Sequence, residues 1–473
     1  MTPDVFAAHA HRLIDLIADY RNTLPRRPVM ATTQPGAVKA LLAPHAPAAP
    51  EPFEQVLADV ERIILPHLSH WQHPKFFAYF PSNAALASVL GDFLSSGLGV
   101  LGIAWQTSPA LSELEEVTTD WMRQLLGLSA AWQGVIQDTA STATLVALLC
   151  ARERATDFAL ARGGLQEEKA ALVVYASTQA HSSVEKAALL AGLGREQIRK
   201  VAVDGALALS PDALAAAIRA DLAAGRRPCA VVATTGTTAT TAVDPIAPLA
   251  ALAREHGMWL HVDAAMGGSA QLLPECRWMW AGIEGADSVV VNPHKWLGAV
   301  FDCSLYYLRD PQHLMRVLST NPSYLQTAAD GQVRNYRDWG IPLGRRFRAL
   351  KLWFLLRLEG VEALKARLRR DLANAQWLAE QVGSTADWKV VAPVPLQTVC
   401  VRHEPPGLSG AALDRHTLGW ADRLNRSGQA WVTPATLDGQ WMVRVSIGAE
   451  RTEREHLAEL WEAMKEEAAR PDP

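Results

Sequence analysis

Phe6, Leu13, Ile17 and Tyr20 recur at helical spacing and predict a first amphipathic helix, which Pro25 and Pro28 end. Residues 43–52 are a Pro/Ala run that reads as an extended linker. A second helix is predicted from about Phe53 to Leu65, ahead of an aromatic-rich segment from Trp71 to Pro81. From about residue 85 the rhythm changes to short apolar runs alternating with Ala/Leu-rich helical stretches such as Thr144 to Ala155 and Ser183 to Leu190. Gly134 to Gln137, Ala171 to Tyr175, Ala230 to Thr234, Trp259 to Val262, Ser288 to Val291 and Ser304 to Leu308 read as strands covered on both faces. Ser182 with Glu185 predicts a capping box for one intervening helix, and Gly192 its stop. After Gly344 the pattern turns helical (Arg348 to Leu358, Val361 to Val382), with short strands around Thr398 to Val401 and Trp441 to Ile447. A last helix carries the stripe Leu457, Leu460, Trp461 and Met464 behind a predicted Thr452/Glu455 capping box.

The fold class this predicts is α/β, a mostly parallel central sheet with helices on both faces. A helical N-terminal arm (residues 1–85) precedes the large domain (86–350), and a small α+β domain (351–473) follows it. The arm's first helix is far from any core in sequence and would reach another subunit.

Composition narrows the partners. The chain has 473 residues, 49% of them hydrophobic and 20% charged, which is enough apolar material for more than one core. A formal net charge of -4 gives no basic footprint for nucleic acid or an anionic membrane, so a small molecule is the expected partner. No apolar run reaches membrane-spanning length, and the acidic N-terminal stretch does not read as a signal peptide. Five scattered cysteines without CxxC spacing fit a reducing cytoplasm. His67, His70 and His73 repeat every third residue, but no Cys or carboxylate completes a coordination sphere, so no metal is expected.

In an open α/β sheet, ligands bind at the carboxyl ends of the strands, so the residues just after each run carry the candidate chemistry. Lys295 lies past Val291 and Pro293, which stops the ladder. In a partly dry turn beside His294 and Trp296 its pKa would fall, leaving the free amine that attacks carbonyls; a loop lysine reaching water fits this stretch equally well. Asp138 to Thr142 place small residues and hydroxyls at a helix start, which is an anion site or a plain N-cap. His181 follows the second run, where a core histidine is the plainer reading, and Thr235 to Thr241 form a hydroxyl-rich loop or an ordinary turn. Asp263, flanked by Ala264 and Ala265, needs a cation or donors at a buried strand end, and an Arg would serve.

Taken together, an anion cradle, a flat histidine, a buried carboxylate and an activated lysine are the partners pyridoxal phosphate requires. At about 4 Å and an effective dielectric near 20, a carboxylate holds a pyridinium by roughly 4 kcal/mol. That keeps the ring nitrogen protonated.

Asn292-Pro-His-Lys-Trp296, His261-Val-Asp-Ala-Ala265, Gln179-Ala-His-Ser-Ser183 and Ile341-Pro-Leu-Gly-Arg-Arg-Phe347 together resemble the group II pyridoxal-phosphate decarboxylases, specifically the aromatic-L-amino-acid (DOPA/tryptophan) decarboxylases. The similarity runs over nearly the whole chain. It implies the fold type I architecture of pyridoxal-phosphate-dependent transferases, a homodimer, and decarboxylation of an aromatic L-amino acid to its amine. By this resemblance Lys295 would bind the cofactor covalently, Asp263 would pair with the pyridine nitrogen, and His181 would stack on the ring. Ala140, Ser141, Asn292 and His294 would hold the phosphate, with Thr238 near the ring. Ser82 would lie near the substrate carboxylate, and Trp71, Phe80, Leu101 and Ile103 would line the aromatic pocket, the last two reaching the neighbouring subunit's site. Tyr324 sits in the long polar segment from Leu318 to Gly331, which has the character of a mobile lid. The resemblance makes it the proton donor to the α-carbon, with Arg337 seating the loop.

The chain departs from the family at Ile103, where Phe is frequent, and at Met266-Gly267, where Tyr-Ala is common. Gly344 resembles the indole-accepting members. Aromatic aldehyde synthases replace the loop Tyr with Phe or the stacking His with Asn, and both residues are kept here. A glutamate-type decarboxylase would need a cation for the distal carboxylate, and a non-enzymatic protein that kept the fold would bind no cofactor.

Overall fold

The computed structural model describes residues 1–320, 322–325 and 327–470, without the side chain of Tyr324. The chain forms two compact units, one of Ser82–Ala379 and Val390–Cys400, the other of Met1–Pro81, Glu380–Lys389 and Val401–Pro473. The N-terminal arm and most of the C-terminal segment, expected as separate pieces, thus fall in one unit, while most of the residue 361–384 helix goes with the sheet.

The larger unit is built on seven strands: β1 Gln133–Gln137, β2 Leu172–Ser177, β3 Ile198–Val201, β4 Arg227–Thr234, β5 Trp259–Asp263, β6 Ser288–Val291 and β7 Ser304–Leu308. They lie in the order β1-β7-β6-β5-β4-β2-β3. β7 runs antiparallel to both its neighbours and the remaining pairs are parallel. The six predicted strands are present, and the architecture is the expected α/β one. β3 escaped prediction because Ile-Arg-Lys-Val is an edge strand with only Val201 buried, so it lacks the apolar run of its neighbours.

One face of the sheet is covered by the helix Ala140–Ala155, whose Ala143, Val146, Ala147 and Ala151 pack against Val135, Val232, Trp259, Val290 and Tyr306. Its small side chains let the helix lie close to the strands. Helices Leu86–Leu98 and Ala349–Glu359 cross at Gly91, where a Cβ would stand 2.7 Å from the Leu350 carbonyl oxygen. The buried Lys351 Nζ meets Asp92 Oδ1 at 2.8 Å beside that crossing.

The other unit carries the helices Pro3–Thr23, Gly410–Ser427 and Arg454–Ala469 and the hairpin β10 Thr433–Leu437 with β11 Gln440–Ser446, where β8 Trp388–Val390 and β9 Thr398–His403 precede it in the chain. The second predicted helix is α-helical over Phe53–Asp59 and continues as a π turn over Val60–Ile64.

Two caps differ from expectation. The Ser182–Leu190 helix is capped by His181, whose Nδ1 accepts from the Ser183 N–H, so the imidazole takes the role assigned to Ser182. The last helix is capped at Glu453, whose N–H donates to His456 Nδ1, because the Thr452 hydroxyl instead donates to the Pro74 carbonyl.

Candidate active site

Lys295 sits in a single π turn, Pro293–Leu297, directly after β6. The turn closes through Gly298 N–H and Ala299 N–H, both donating to the Pro293 carbonyl at 3.0 Å. Gly298 has φ 104, a conformation that favours glycine. Asn292 N–H donates to the Ala265 carbonyl, tying the start of the turn to the segment that follows Asp263. On its other side, Asn83 N–H donates to the Lys295 carbonyl at 3.3 Å and Ala85 N–H to the Gly298 carbonyl, which lays the segment from Ser82 along the lysine turn.

The flanking residues are fixed in their donor states. Cys303 N–H donates to His294 Nδ1 at 2.9 Å, so the neutral ring carries its proton on Nε2. Burial, with the Lys295 charge adding to it, pushes the His294 pKa down to about 3. Ser304 Oγ donates to Asn292 Oδ1, which leaves the Asn292 amide group as a donor. Both residues are buried, so each aims a neutral N–H donor at its surroundings.

Asp263 is the last residue of β5, opposite Thr234 of β4 and Val290 of β6. It is buried, and its Oδ1 accepts from the Ala265 N–H at 3.0 Å. His181 lies after β2; desolvation lowers its pKa, the Asp263 charge opposes this and the Lys295 charge adds to it. The ring still meets solvent, so its neutrality rests on partial enclosure. Because Nδ1 accepts from Ser183 N–H, neutral His181 also carries its proton on Nε2. Asp263 and Lys295, from two other strand ends, thus both act on the His181 ring.

At the start of the Ala140–Ala155 helix the Thr139 hydroxyl accepts from Thr142 N–H and Asp138 accepts from Thr139 N–H, leaving the first-turn amides of Ala140 and Ser141 for a ligand. In the hydroxyl loop Thr237 and Thr240 bond each other and Thr237 accepts from Ala242 N–H, while Thr238 stays exposed outside that network. Gly267 stands so close to Thr235 that a Cβ would come within 2.5 Å of its carbonyl oxygen.

Leu101 is exposed, and a Cβ at Gly344 would touch it at 3.2 Å, so the expected pocket residue and the glycine of interest are neighbours. Ile103 N–H donates to Thr107 Oγ1 nearby. Trp71 and Phe80 lie in the other unit: Trp71 stacks with Tyr79 at 5.8 Å between centroids, and the Arg444 guanidinium stands 5.1 Å from the Phe80 ring centre. The Tyr324 side chain lies outside the described residues.

Further residues brace the site and its surroundings. His261, two positions before Asp263 on the same face of β5, is buried with Nδ1 2.9 Å from Ser288 Oγ, which also accepts from Trp259 Nε1. Burial pushes its pKa down to about 4. Asp244 accepts from the N–H groups of Leu209 and Thr234 at 2.7 Å each, bracing the end of β4, and burial pushes its carboxyl up to about 7. Arg345, Arg346 and Arg348, a basic cluster whose spacing reads as structural, pair within the fold, Arg345 with Glu115, Arg346 with Asp92 and Arg348 with Asp302. The three histidines near 70 are engaged by protein: His67 with Thr33, His70 with Tyr20, and His73 Nδ1 accepting from Lys75 N–H.

The donor set fits pyridoxal phosphate. Neutral N–H donors suit a phosphate, a buried carboxylate suits a pyridinium nitrogen, and an amine in a held turn suits an aldehyde.

The comparisons agree with this chemistry. A family model described as the pyridoxal-dependent decarboxylase conserved domain matches residues 35–404. The chain is 41% identical to a phenylacetaldehyde synthase of Arabidopsis thaliana, over 99% of this chain and 97% of that one. It is 39% identical to tryptophan decarboxylase 2 of Oryza sativa subsp. japonica, over 97% and 94%. Among solved structures, Oryza sativa TDC with PLP and tryptamine superposes with a TM-score of 0.95 at 35% identity, over 99% of this chain and 98% of that one.

Proposed function

This chain belongs to the pyridoxal-dependent decarboxylases, among the aromatic amino acid decarboxylases, and from that premise we propose that it converts an aromatic L-amino acid to its amine and carbon dioxide. Pyridoxal phosphate, the family's cofactor, would supply a protonated ring that accepts the electron pair left on the α-carbon as carbon dioxide departs.

Lys295 would hold the cofactor covalently through its amine. Asp263 would keep the proton on the ring nitrogen, and the amides of Ala140 and Ser141 with the Asn292 amide and His294 Nε2–H would bind the phosphate. Thr238 stands near the ring. His181 would stack on the cofactor, and its lowered pKa keeps it from adding a positive charge that competes for Asp263. Ser82 would orient the substrate carboxylate, and Leu101 and Ile103 would offer apolar contacts to an aromatic side chain. Tyr324 delivers the proton to the α-carbon.

The observation that carries this reading is that Asp263 at the end of β5, Lys295 after β6 and His181 after β2 stand close enough for both charges to act on His181, which Ser183 holds as the Nε2–H tautomer. The aldehyde synthase reading has a specific support, the 41% identity to a phenylacetaldehyde synthase. Retention of both His181 and Tyr324 favours simple decarboxylation.

The assembly proposed is a homodimer. Leu86, Leu90, Phe93, Leu94 and Leu98 form an exposed stripe on one helix, and Phe6, Leu13, Ile14 and Ile17 are exposed on the first. Leu101 and Ile103 follow the first stripe closely enough to serve the partner's pocket. Among the described residues no helix is long and apolar enough to cross a membrane, and a cytoplasmic location is proposed.

Tyr324→Phe tests the partition. It is expected to shift products from amine toward aldehyde, ammonia and peroxide; unchanged amine yield without oxygen uptake would remove Tyr324 from the proton-transfer role.

A further inference from the structure

The lysine turn is gripped from outside the strand-end constellation. Trp296, next to Lys295, is buried, and its indole Nε1–H donates to Asp371 Oδ2 at 2.8 Å. Asp371 belongs to the helix Val361–Ser384, and Arg367 lies one turn earlier on the same face. Arg367 Nη2 donates to the carbonyl oxygens of both Trp296 and Leu297, the last carbonyls of the π turn. Its guanidinium also lies against Gly298, where a Cβ would come within 3.1 Å of Nη1. Asn83 Nδ2 reaches the Trp296 carbonyl as well. The turn is therefore held at its start by strand-end backbone and at its finish by two side chains of one helix.

We propose that Asp371 and Arg367 are positioning residues that set where the Lys295 amine stands, Asp371 by fixing the Trp296 ring and Arg367 by capping the turn's final carbonyls. This rests on the assignment of Lys295 above and adds a control that none of the strand-end residues supplies. A π turn of five residues has little internal hydrogen bonding, so its shape depends on outside partners. Burial pushes the Asp371 carboxyl up to about 6, opposed by the Trp296 N–H and by the guanidinium groups of Arg370 and Arg367. In so dry a place the carboxylate is paired to protein, its Oδ2 to the indole N–H and its Oδ1 to the Arg370 guanidinium at 3.4 Å.

The test compares Asp371→Leu, Asp371→Asn and Trp296→Phe with the wild-type protein. Each is prepared without cofactor and mixed with pyridoxal phosphate; the rate of covalent attachment is followed by colour, and the position by borohydride fixation and peptide mass. Asp371→Leu should slow attachment and lower kcat by about tenfold or more, with KM little changed, because misplacing a reacting group costs rate. Asp371→Asn keeps an acceptor oxygen for the indole N–H and should recover most of the loss. Trp296→Phe should reproduce the loss, and adding Asp371→Leu to it should cost little more, since the carboxylate acts through that ring. Should Asp371→Leu fail to fold, Trp296→Phe and Arg367→Gln carry the same expectation.

Wild-type attachment rates in Asp371→Leu and Trp296→Phe, or a lowered melting temperature with attachment unchanged, would overturn the proposal. Failure of the wild-type protein to attach cofactor at Lys295 would instead overturn the assignment of the lysine.

Discussion

Two buried histidines flank the chemistry, and both are held neutral. His261 and His294 have pKa values of about 4 and about 3 in the folded chain, below the ordinary value of 6.5. Above pH 6.5 both states are neutral and the fold is unaffected; as pH falls through 6.5 the unfolded chain takes up protons that the folded one refuses. Stability is therefore lost progressively down to about pH 4 for His261 and about pH 3 for His294, at up to about 1.4 kcal/mol per pH unit per histidine. The urea midpoint of the wild-type chain should fall between pH 7 and pH 5, and His261→Gln should flatten that fall; equal slopes in the two proteins would contradict the assignment. Replacing Lys295 by Ala should leave the fold intact and abolish covalent cofactor attachment, checked by borohydride fixation. Lys295, Asp263 and His181 were legible because each ends or follows an apolar run, so its place at a strand end could be read directly. The place of His261 in the motif is plain from the sequence but its role is not, since a hydrogen bond to Ser288 on the next strand leaves no mark in the local pattern. Asp371 was missed for a similar reason: its partner Trp296 is 75 positions away, and an aspartate in a helix reads as a solvated face.

At the scale of elements, close approach decides more than propensity does. Gly91 lets the Leu86–Leu98 helix touch the backbone of the Ala349–Glu359 helix, and an added Cβ would meet three backbone atoms of Leu350 and Lys351 within 2.9 Å. Gly91→Ala should destabilise the protein by about 1–3 kcal/mol through overpacking. Gly383→Ala, with nothing within 4 Å, serves as control and should be neutral or stabilising by about 0.5–1 kcal/mol. Equal effects of the two in urea denaturation would show that the crossing does not depend on Gly91. The strands and most helices were legible from alternation of apolar runs with helical spacing. The caps were not: His181 and His456 each supply an imidazole Nδ1 where Ser/Thr-with-Glu patterns pointed to neighbouring residues. Cap choice turned on which side chain another group had already engaged, as with Thr452 and Pro74.

For the whole molecule, sequence order is a poor guide to which segments pack together. The first 81 residues share a unit with the C-terminal ones, a pairing that periodicity along the chain has no means to express. The exposed stripe at Leu90 and Leu94 gives the proposed dimer a direct check: Leu90→Glu with Leu94→Glu should yield monomers by sedimentation and lose activity together, because Leu101 and Ile103 would no longer reach a partner's pocket. An active monomer would sink that arrangement. Substrate choice among the aromatic amino acids rests on single hydroxyl groups, which a pocket discriminates weakly unless a polar partner is aimed at them. The most direct measurement is to supply the cofactor-loaded protein with DOPA, 5-hydroxytryptophan, tryptophan, tyrosine and phenylalanine side by side, with glutamate alongside, and to quantify carbon dioxide, amine, aldehyde and peroxide. The account predicts amine equal to carbon dioxide from at least one aromatic substrate, with no peroxide and no turnover of glutamate. Aldehyde with stoichiometric peroxide, or turnover of glutamate alone, would contradict it.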